Sequence, residues 1–224
     1  DVEPINTPES RYVDVNGLRL HYVDWGNERA PTLVLLHGHC SNIHTFDQLA
    51  DRLCNEWHVM ALDQRGHGDS EWAPRYDREA FVADFQAFVE AIGLSSFSLL
   101  GHSMGGLVGM QYVASVSNFV ERFVIVDIGP EIILNDGTKI GPETVDAPEQ
   151  FDSLEDVYVF LRATDLKSPE GMLRYRTKHA VRQLDTGKWG WKYDPGLRSG
   201  AGFEEAPSSE ELWVALALID CPTL

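Results

Sequence analysis

The sequence is poor in cysteine, in basic residues and in long apolar runs, and each shortage excludes a class of protein. The three cysteines, Cys40, Cys54 and Cys221, are odd in number and widely spaced, which rules out a disulfide framework and shows no metal-ligand pattern. They are expected to be reduced thiols. Eighteen Lys and Arg against 35 Asp and Glu leave a net charge of −17. Such a chain repels phosphate backbones and anionic membranes, so neither nucleic acid nor a membrane is an expected partner. No run of like charge is long enough to form a tail, so the excess acid reads as a solubilising surface. No apolar stretch reaches the length of a membrane span, and Asp1–Ser10 lacks the basic and apolar regions of a secretory signal. The expected location is therefore cytoplasmic. Internal repeats and low-complexity segments are absent, and nothing sets an oligomeric state.

What is present is enough apolar residue, 43% of 224, to bury one substantial core. That size fits one domain with an insertion better than two independent domains. Asn16-Gly17 between the β-rich runs Arg11–Val15 and Leu18–Trp25 predicts a hairpin. Pro31–Gly38 is a near-continuous apolar run of the kind found in a strand covered on both faces. Phe46, Leu49, Ala50, Leu53 and Cys54 fall at helical spacing and predict an amphipathic helix over Ile43–Asn55. A strand, His58–Asp63, runs into the Gly-rich turn Gln64–Ser70. A helix then follows with Phe81, Val82, Phe85, Phe88, Val89 and Ile92 on one side, Asp77 as N-cap and Gly93 as its stop. Phe97–Gly101, a helix from Met104 to Ser115 and Arg122–Asp127 continue the alternation, which means a mostly parallel twisted sheet with helices on both faces. From Ile128 the texture changes to loop, then to helices opened by Ser153, by Ser168-Pro169 and by the Ser208/Glu211 capping box. Trp189, Trp191 and Tyr193 alternate with other residues, and Pro195, Gly196, Gly200 and Gly202 argue against helix there.

The chemistry concentrates at Gly101-His102-Ser103-Met104-Gly105, a Gly-x-Ser-x-Gly turn between a buried strand and a helix. Small flanking residues let strand and helix meet closely, so that the serine is forced into a strained backbone and its hydroxyl out of the fold. Unpaired N–H groups at the start of the helix can stabilise negative charge developing on a substrate oxygen. His37 precedes a glycine at a strand end and reads as a loop-ordering residue more than as a base. His102 reads as structural, and Asp63–Ser70 as a turn scaffold with Arg65 pairing locally. Trp189, Trp191, Tyr193 and Phe203 either line an acyl pocket or pack the insertion onto the sheet.

Three ordered motifs, Leu35-Leu36-His37-Gly38-His39, Asp63-Gln64-Arg65-Gly66-His67-Gly68-Asp69-Ser70 and Gly101-His102-Ser103-Met104-Gly105-Gly106, together resemble the α/β-hydrolase superfamily in its serine-hydrolase branch. Val126–Pro130 and Asp220–Leu224 are similar to it as well. The resemblance implies an α/β-hydrolase fold with an eight-stranded, mostly parallel sheet and a helical lid inserted after the sixth strand. It also implies a serine–histidine–acid triad without cofactor or metal, acting on a small-molecule acyl substrate. By that resemblance Ser103 is the nucleophile, and the backbone N–H groups of His39 and Met104 form the oxyanion hole. Asp127 is a candidate acid, set against a hydrogen-bonded strand-end carboxylate, because the commoner family arrangement places the acid after the next strand. The expected divisions are residues 1–130 for the core, 131–207 for the lid or cap and 208–224 for the return to the core. In the family order the histidine follows the acid, and none of the eight histidines fits that place, although His179 in the expected lid is one to suspect. The chain is accordingly expected to lack the last strands and to be inactive alone.

The function so implied is a serine hydrolase cleaving a carboxylic ester or related acyl bond through an acyl-serine intermediate. Carbon–carbon bond hydrolysis, lactone opening, perhydrolysis and non-catalytic ligand binding on the same fold are the alternatives.

Overall fold

The computed structural model describes residues 3–116, 119–131, 147–199 and 207–224. Six strands, β1 (Glu9–Val15), β2 (Leu18–Asp24), β3 (Thr32–Leu36), β4 (His58–Leu62), β5 (Phe97–His102) and β6 (Val120–Val126), form one sheet in the order β1-β2-β4-β3-β5-β6. Asn16 and Gly17 take φ values of 50° and 77°, the left-handed pair that a two-residue hairpin between β1 and β2 requires. β2 pairs antiparallel with β4, and β4, β3, β5 and β6 are all parallel. Every residue of β4 is buried, as are Leu33–Leu36 of β3, which is the burial a strand covered on both faces produces.

Helices cover both faces. On one side α2 (Arg78–Ile92) and α3 (Met104–Ser115) build an aromatic core in which Phe85 meets Tyr112 edge-on at 4.7 Å. Asp77 accepts the Ala80 N–H at 3.0 Å, and Gly93 ends α2 at φ 77°, as expected. On the other side α1 (Asp47–Leu53) covers Leu33, Leu35, Val59 and Ala61. The continuous helix expected over Ile43–Asn55 is split, since Ile43–Phe46 is a 3-10 turn. Asn42 accepts the His44 N–H at 3.0 Å and Asp63 accepts the Ile43 N–H at 2.9 Å, and these bonds hold the tighter first turn.

Residues 147–199 form a separate layer with strands β7 (Gln150–Phe151), β8 (Val181–Gln183) and β9 (Trp189–Trp191) and helices α4 (Leu154–Thr164) and α5 (Glu170–Ala180). This layer was expected to be helical; it also contains an antiparallel sheet in the order β7-β9-β8. Short β-runs with no apolar stretch of their own escape a periodicity reading. Pro195–Ser199 is a 3-10 turn despite Gly196, because Asp194 accepts the Gly196 N–H at 2.8 Å. Trp191 packs between Phe151 and Phe160 and stacks on Tyr193, so these aromatics chiefly make the core of the layer. Phe203 lies outside the described residues.

The chain re-enters the main sheet after α6 (Ser209–Ala217), whose Ser208/Glu211 capping box forms as read. Thr223 bridges Phe123 in parallel, with the Phe123 N–H donating to Pro222 at 3.0 Å and the Ile125 N–H to Leu224 at 2.8 Å. Of the expected strand start Asp220–Leu224, Pro222–Leu224 thus runs parallel to β6 through this single bridge. No helix among the described residues is long and apolar enough to cross a membrane.

Candidate active site

Ser103 sits between β5 and α3 with φ 50° and ψ −115°, a conformation that L-residues rarely adopt and that costs of the order of 1–3 kcal/mol. Close approach of three backbones imposes it. A Cβ on Gly105 would overlap the Leu36 carbonyl oxygen and lie 2.8 Å from that of His37. On Gly101 it would stand 2.7 Å from Gly106 Cα, and on Gly38 it would stand 3.3 Å from Ser103 Cβ. The ends of β3 and β5 and the first turn of α3 thus converge on the serine. Its N–H donates to Val126 at 2.8 Å and its carbonyl accepts from Gly106 and Leu107, at 2.8 and 3.1 Å. No described residue hydrogen-bonds its Oγ. Met104, first in α3, has no carbonyl one turn back for its N–H.

The other half of the expected oxyanion hole, the loop Gly38–Cys40, is held by two buried histidines. His37 Nδ1 donates to the Gly38 carbonyl at 2.8 Å, while its Nε2 accepts the Gln64 N–H at 3.0 Å. His67 Nδ1 likewise donates to the Arg65 carbonyl at 2.8 Å, and its Nε2 accepts the Cys40 N–H at 3.1 Å. Backbone partners on both nitrogens fix one neutral tautomer for each ring, and burial pushes both pKa values below the ordinary histidine range. His37 is thereby a loop-ordering residue and no base. His67 does the same work and was not singled out from the sequence, where its place in a Gly-rich turn was the only signal.

Asp63 anchors this arrangement from beneath. It accepts from His21 Nδ1 at 2.7 Å, from the Ile43 N–H at 2.9 Å and from the Asp69 N–H at 3.0 Å. Burial alone would raise its pKa, but the His21 bond, neighbouring His37 and the Asp69 N–H outweigh burial and hold it below the usual carboxylate value. His21, Asp63 and Asp69 are also close enough together to hold a cation. His21 Nε2, however, is bonded to Ser10 Oγ at 2.8 Å, and both Asp63 oxygens accept hydrogen bonds, so the trio is already satisfied as scaffold. Arg65 pairs with Asp84 of α2 at 2.7 Å; the local partner expected for it is replaced by one across the fold.

A cavity of about 360 Å³ opens between this loop and the inserted layer. His39 and His102 line it on the serine side, and Tyr175, Arg176 and His179 of α5 line it opposite. Ser103 itself is not a lining residue. His102, expected to be structural, packs on Gly38 and also lines the cavity, with Nε2 3.7 Å from the Asp127 carboxylate. Asp127 follows β6 at φ 57° with its side chain 82% exposed, so it stands beside His102 with no hydrogen bond orienting a base at Ser103. The His179 ring lies tilted against that of His44, centroids 3.8 Å apart, and Tyr175 and His44 both bind Asp47. Burial lowers His39 and His179 to about 4, leaving both neutral, and raises the Cys40 thiol to about 12. Of the described aromatics among Trp189, Trp191 and Tyr193, Trp191 alone lines this cavity.

The sequence pattern of the alpha/beta hydrolase fold family matches residues 31–184, which include the Ser103 turn, the Gly38–Cys40 loop and most of the inserted layer. A 3-hydroxybutyrate-oligomer hydrolase of Cupriavidus necator is 28% identical over 92% of this chain and 75% of its own length. An N-formylmaleamate deformylase of Pseudomonas putida is 32% identical over 70% of this chain and 57% of its own length. The crystal structure of an alpha/beta hydrolase from Novosphingobium aromaticivorans superposes with a TM-score of 0.80 at 23% identity, covering 96% of this chain and 79% of that one. With the strand order, the strained serine and the parallel re-entry at Thr223 already established, the match over residues 31–184 makes this chain a member of the alpha/beta hydrolase fold family.

Proposed function

We propose that the protein is a serine hydrolase that cleaves a carboxylic ester or a related small acyl bond, with Ser103 as nucleophile. The observation that carries this is the Ser103 backbone at φ 50° and ψ −115° at the start of α3, with an Oγ that no described residue binds. A hydroxyl so presented can attack a carbonyl whose oxygen then falls between the N–H of Met104 and that of His39. The loop carrying His39 is pinned on either side by His37 and His67. Two such donors about 2.7–3.1 Å from the developing oxyanion supply the electrostatic part of catalysis without reorganisation. The acyl-serine formed would be released by water. Residues 131–207 act in this reading as a lid, whose described part supplies the far wall of the cavity. The relatives named as an oligomer hydrolase and a deformylase support acyl hydrolysis without choosing between ester and amide.

Fluorophosphonate labelling and ester turnover test the assignment. Ser103→Ala should abolish labelling and reduce turnover by several orders of magnitude with folding retained. Turnover kept within tenfold would sink it. A second reading, ligand binding without turnover, draws on one observation: among the described residues no hydrogen bond from a histidine ring to Ser103 Oγ is formed, whereas a serine needs such a base to be nucleophilic at neutral pH. Saturable ligand binding by a protein that neither labels nor turns over would favour it.

A further inference from the structure

Resting on the hydrolase reading of Ser103, we infer that the cavity selects acyl substrates bearing one carboxylate remote from the scissile bond, held by Arg176 of α5. The chain carries 35 acidic side chains against 18 basic, yet no described residue lining the cavity is Asp or Glu. Arg176 is the one residue with a fixed charge among them. A protein of net charge −17 repels anions in general, so a wall free of acid with a cation in it marks a local exception to its field.

The surroundings fit a single negative charge. Arg176 makes no hydrogen bond to a described residue, and its ion pair with Asp165 is loose, at 3.7 Å. That carboxylate is already bound by Ser168 Oγ at 2.6 Å and by the N–H groups of Ser168 and Lys167 at 3.0 and 3.3 Å. Of the other nearby acids, Asp47 is occupied by His44 and Tyr175, and Glu3 is paired with Lys178 at 3.1 Å. His179 lines the same wall with a buried Nε2 that no described residue partners, a neutral group able to share the bound anion with Arg176. A guanidinium fork matches a carboxylate geometrically. A phosphate monoester, with close to two charges, would leave one uncompensated beside neutral histidines. His39 and His102 mark the opposite, serine side, so a ligand in about 360 Å³ places its acyl carbon at one end and its anion at the other.

Calorimetric titration of the 224-residue chain carrying Ser103→Ala separates binding from turnover. Monomethyl succinate, a monoanion at pH 7.5, should bind about tenfold more tightly than neutral dimethyl succinate, a difference of one charge-assisted contact. Arg176→Gln should reduce that preference to about twofold or less while leaving the diester unchanged; Arg176 is largely exposed, so the variant will fold. Equal binding of the two esters, a preference that survives Arg176→Gln, tighter binding of methyl phosphate, or no binding of either ester would overturn the inference. An unlabelled Ser103 in the unmutated chain together with an Arg176-dependent preference would remove the hydrolase reading and leave the anion site supported.

Discussion

Replacing Gly105 by alanine adds one methyl group where three backbones meet, and its cost can be worked from the geometry. The new Cβ would overlap the Leu36 carbonyl oxygen and stand 2.8 Å from that of His37. Both obstacles are main-chain atoms of the central strand β3 and its end, so no rotamer change relieves them. Overpacking of this kind costs about 1–3 kcal/mol, and an obstacle of backbone puts the variant near 3. Alanine recovers about 1 kcal/mol of helix propensity inside α3, leaving a net loss of about 2 kcal/mol. For a chain of this size that lowers the unfolding midpoint by roughly 4–8 °C. Two controls bracket the effect. Gly129→Ala meets nothing within 4 Å and should shift the midpoint by no more than the roughly 0.5 kcal/mol of a neutral surface change. Gly106→Ala meets a side-chain methyl, Ile128 Cγ2, at 2.6 Å, which can turn aside, and should fall between them. Relieving the Gly105 overlap also moves His37 and hence the His39 loop away from Ser103, and a displacement near 1 Å costs up to about a hundredfold in rate. Thermal unfolding of the three variants by circular dichroism is the assay. A Gly105→Ala midpoint within 2 °C of Gly129→Ala, roughly the shift of 1 kcal/mol or less, would refute the argument.

Ser103→Gly should raise stability by about 1 kcal/mol by releasing a backbone held at φ 50°, while removing the hydroxyl; an unfolding midpoint below that of the parent would contradict stored strain at the elbow. His39 and His179 are lowered to about 4, and His37 and His67 are lowered too, so the unfolded chain takes up protons first as pH falls below about 6.5. Stability from these groups is full above that pH and declines toward pH 4; a urea midpoint that stays flat from pH 7 to 4.5 would show that they are not buried neutral. Amide exchange in α4 and α5 should be faster than in β3, β4 and β5, since Val159 of α4 and Met172 of α5 are exposed whereas those strands are buried on both faces. Equal protection would refute the lid as a separately opening unit.

Legibility from sequence followed the range of the forces involved. The hairpin at Asn16-Gly17, the caps at Asp77, Ser153 and Ser208, the stop at Gly93 and the buried strands were all readable, because local backbone chemistry and strict periodicity decide them. The Ser103 turn was readable for the same reason, since its glycines mark where main chains must touch. What escaped depended on distant partners. Nothing adjacent to Arg65 points to Asp84, 19 residues on, and nothing adjacent to His67 points to the Cys40 amide, 27 residues back. The cavity beside His102 was not legible, because alternation along β5 says which face a residue takes but not that an inserted layer leaves a space above it. β7, β8 and β9 have two or three residues each, too few for any pattern to register.

The turn after β4 carries a load from two directions. From the inserted layer, the Asp194 N–H donates to the Gly66 carbonyl at 2.8 Å, Tyr193 bridges His67, and Lys192 reaches Asp69 at 2.7 Å. Toward the serine, the same His67 holds the Cys40 amide. One residue is thus a shared bearing: the upper layer rests on its backbone and the Gly38–Cys40 loop hangs from its Nε2. A shift of that layer would reach the loop through this imidazole and also through Asn42, whose side-chain amide donates to the His179 carbonyl at 3.0 Å, so the far wall of the cavity and the segment beneath it are joined at two points.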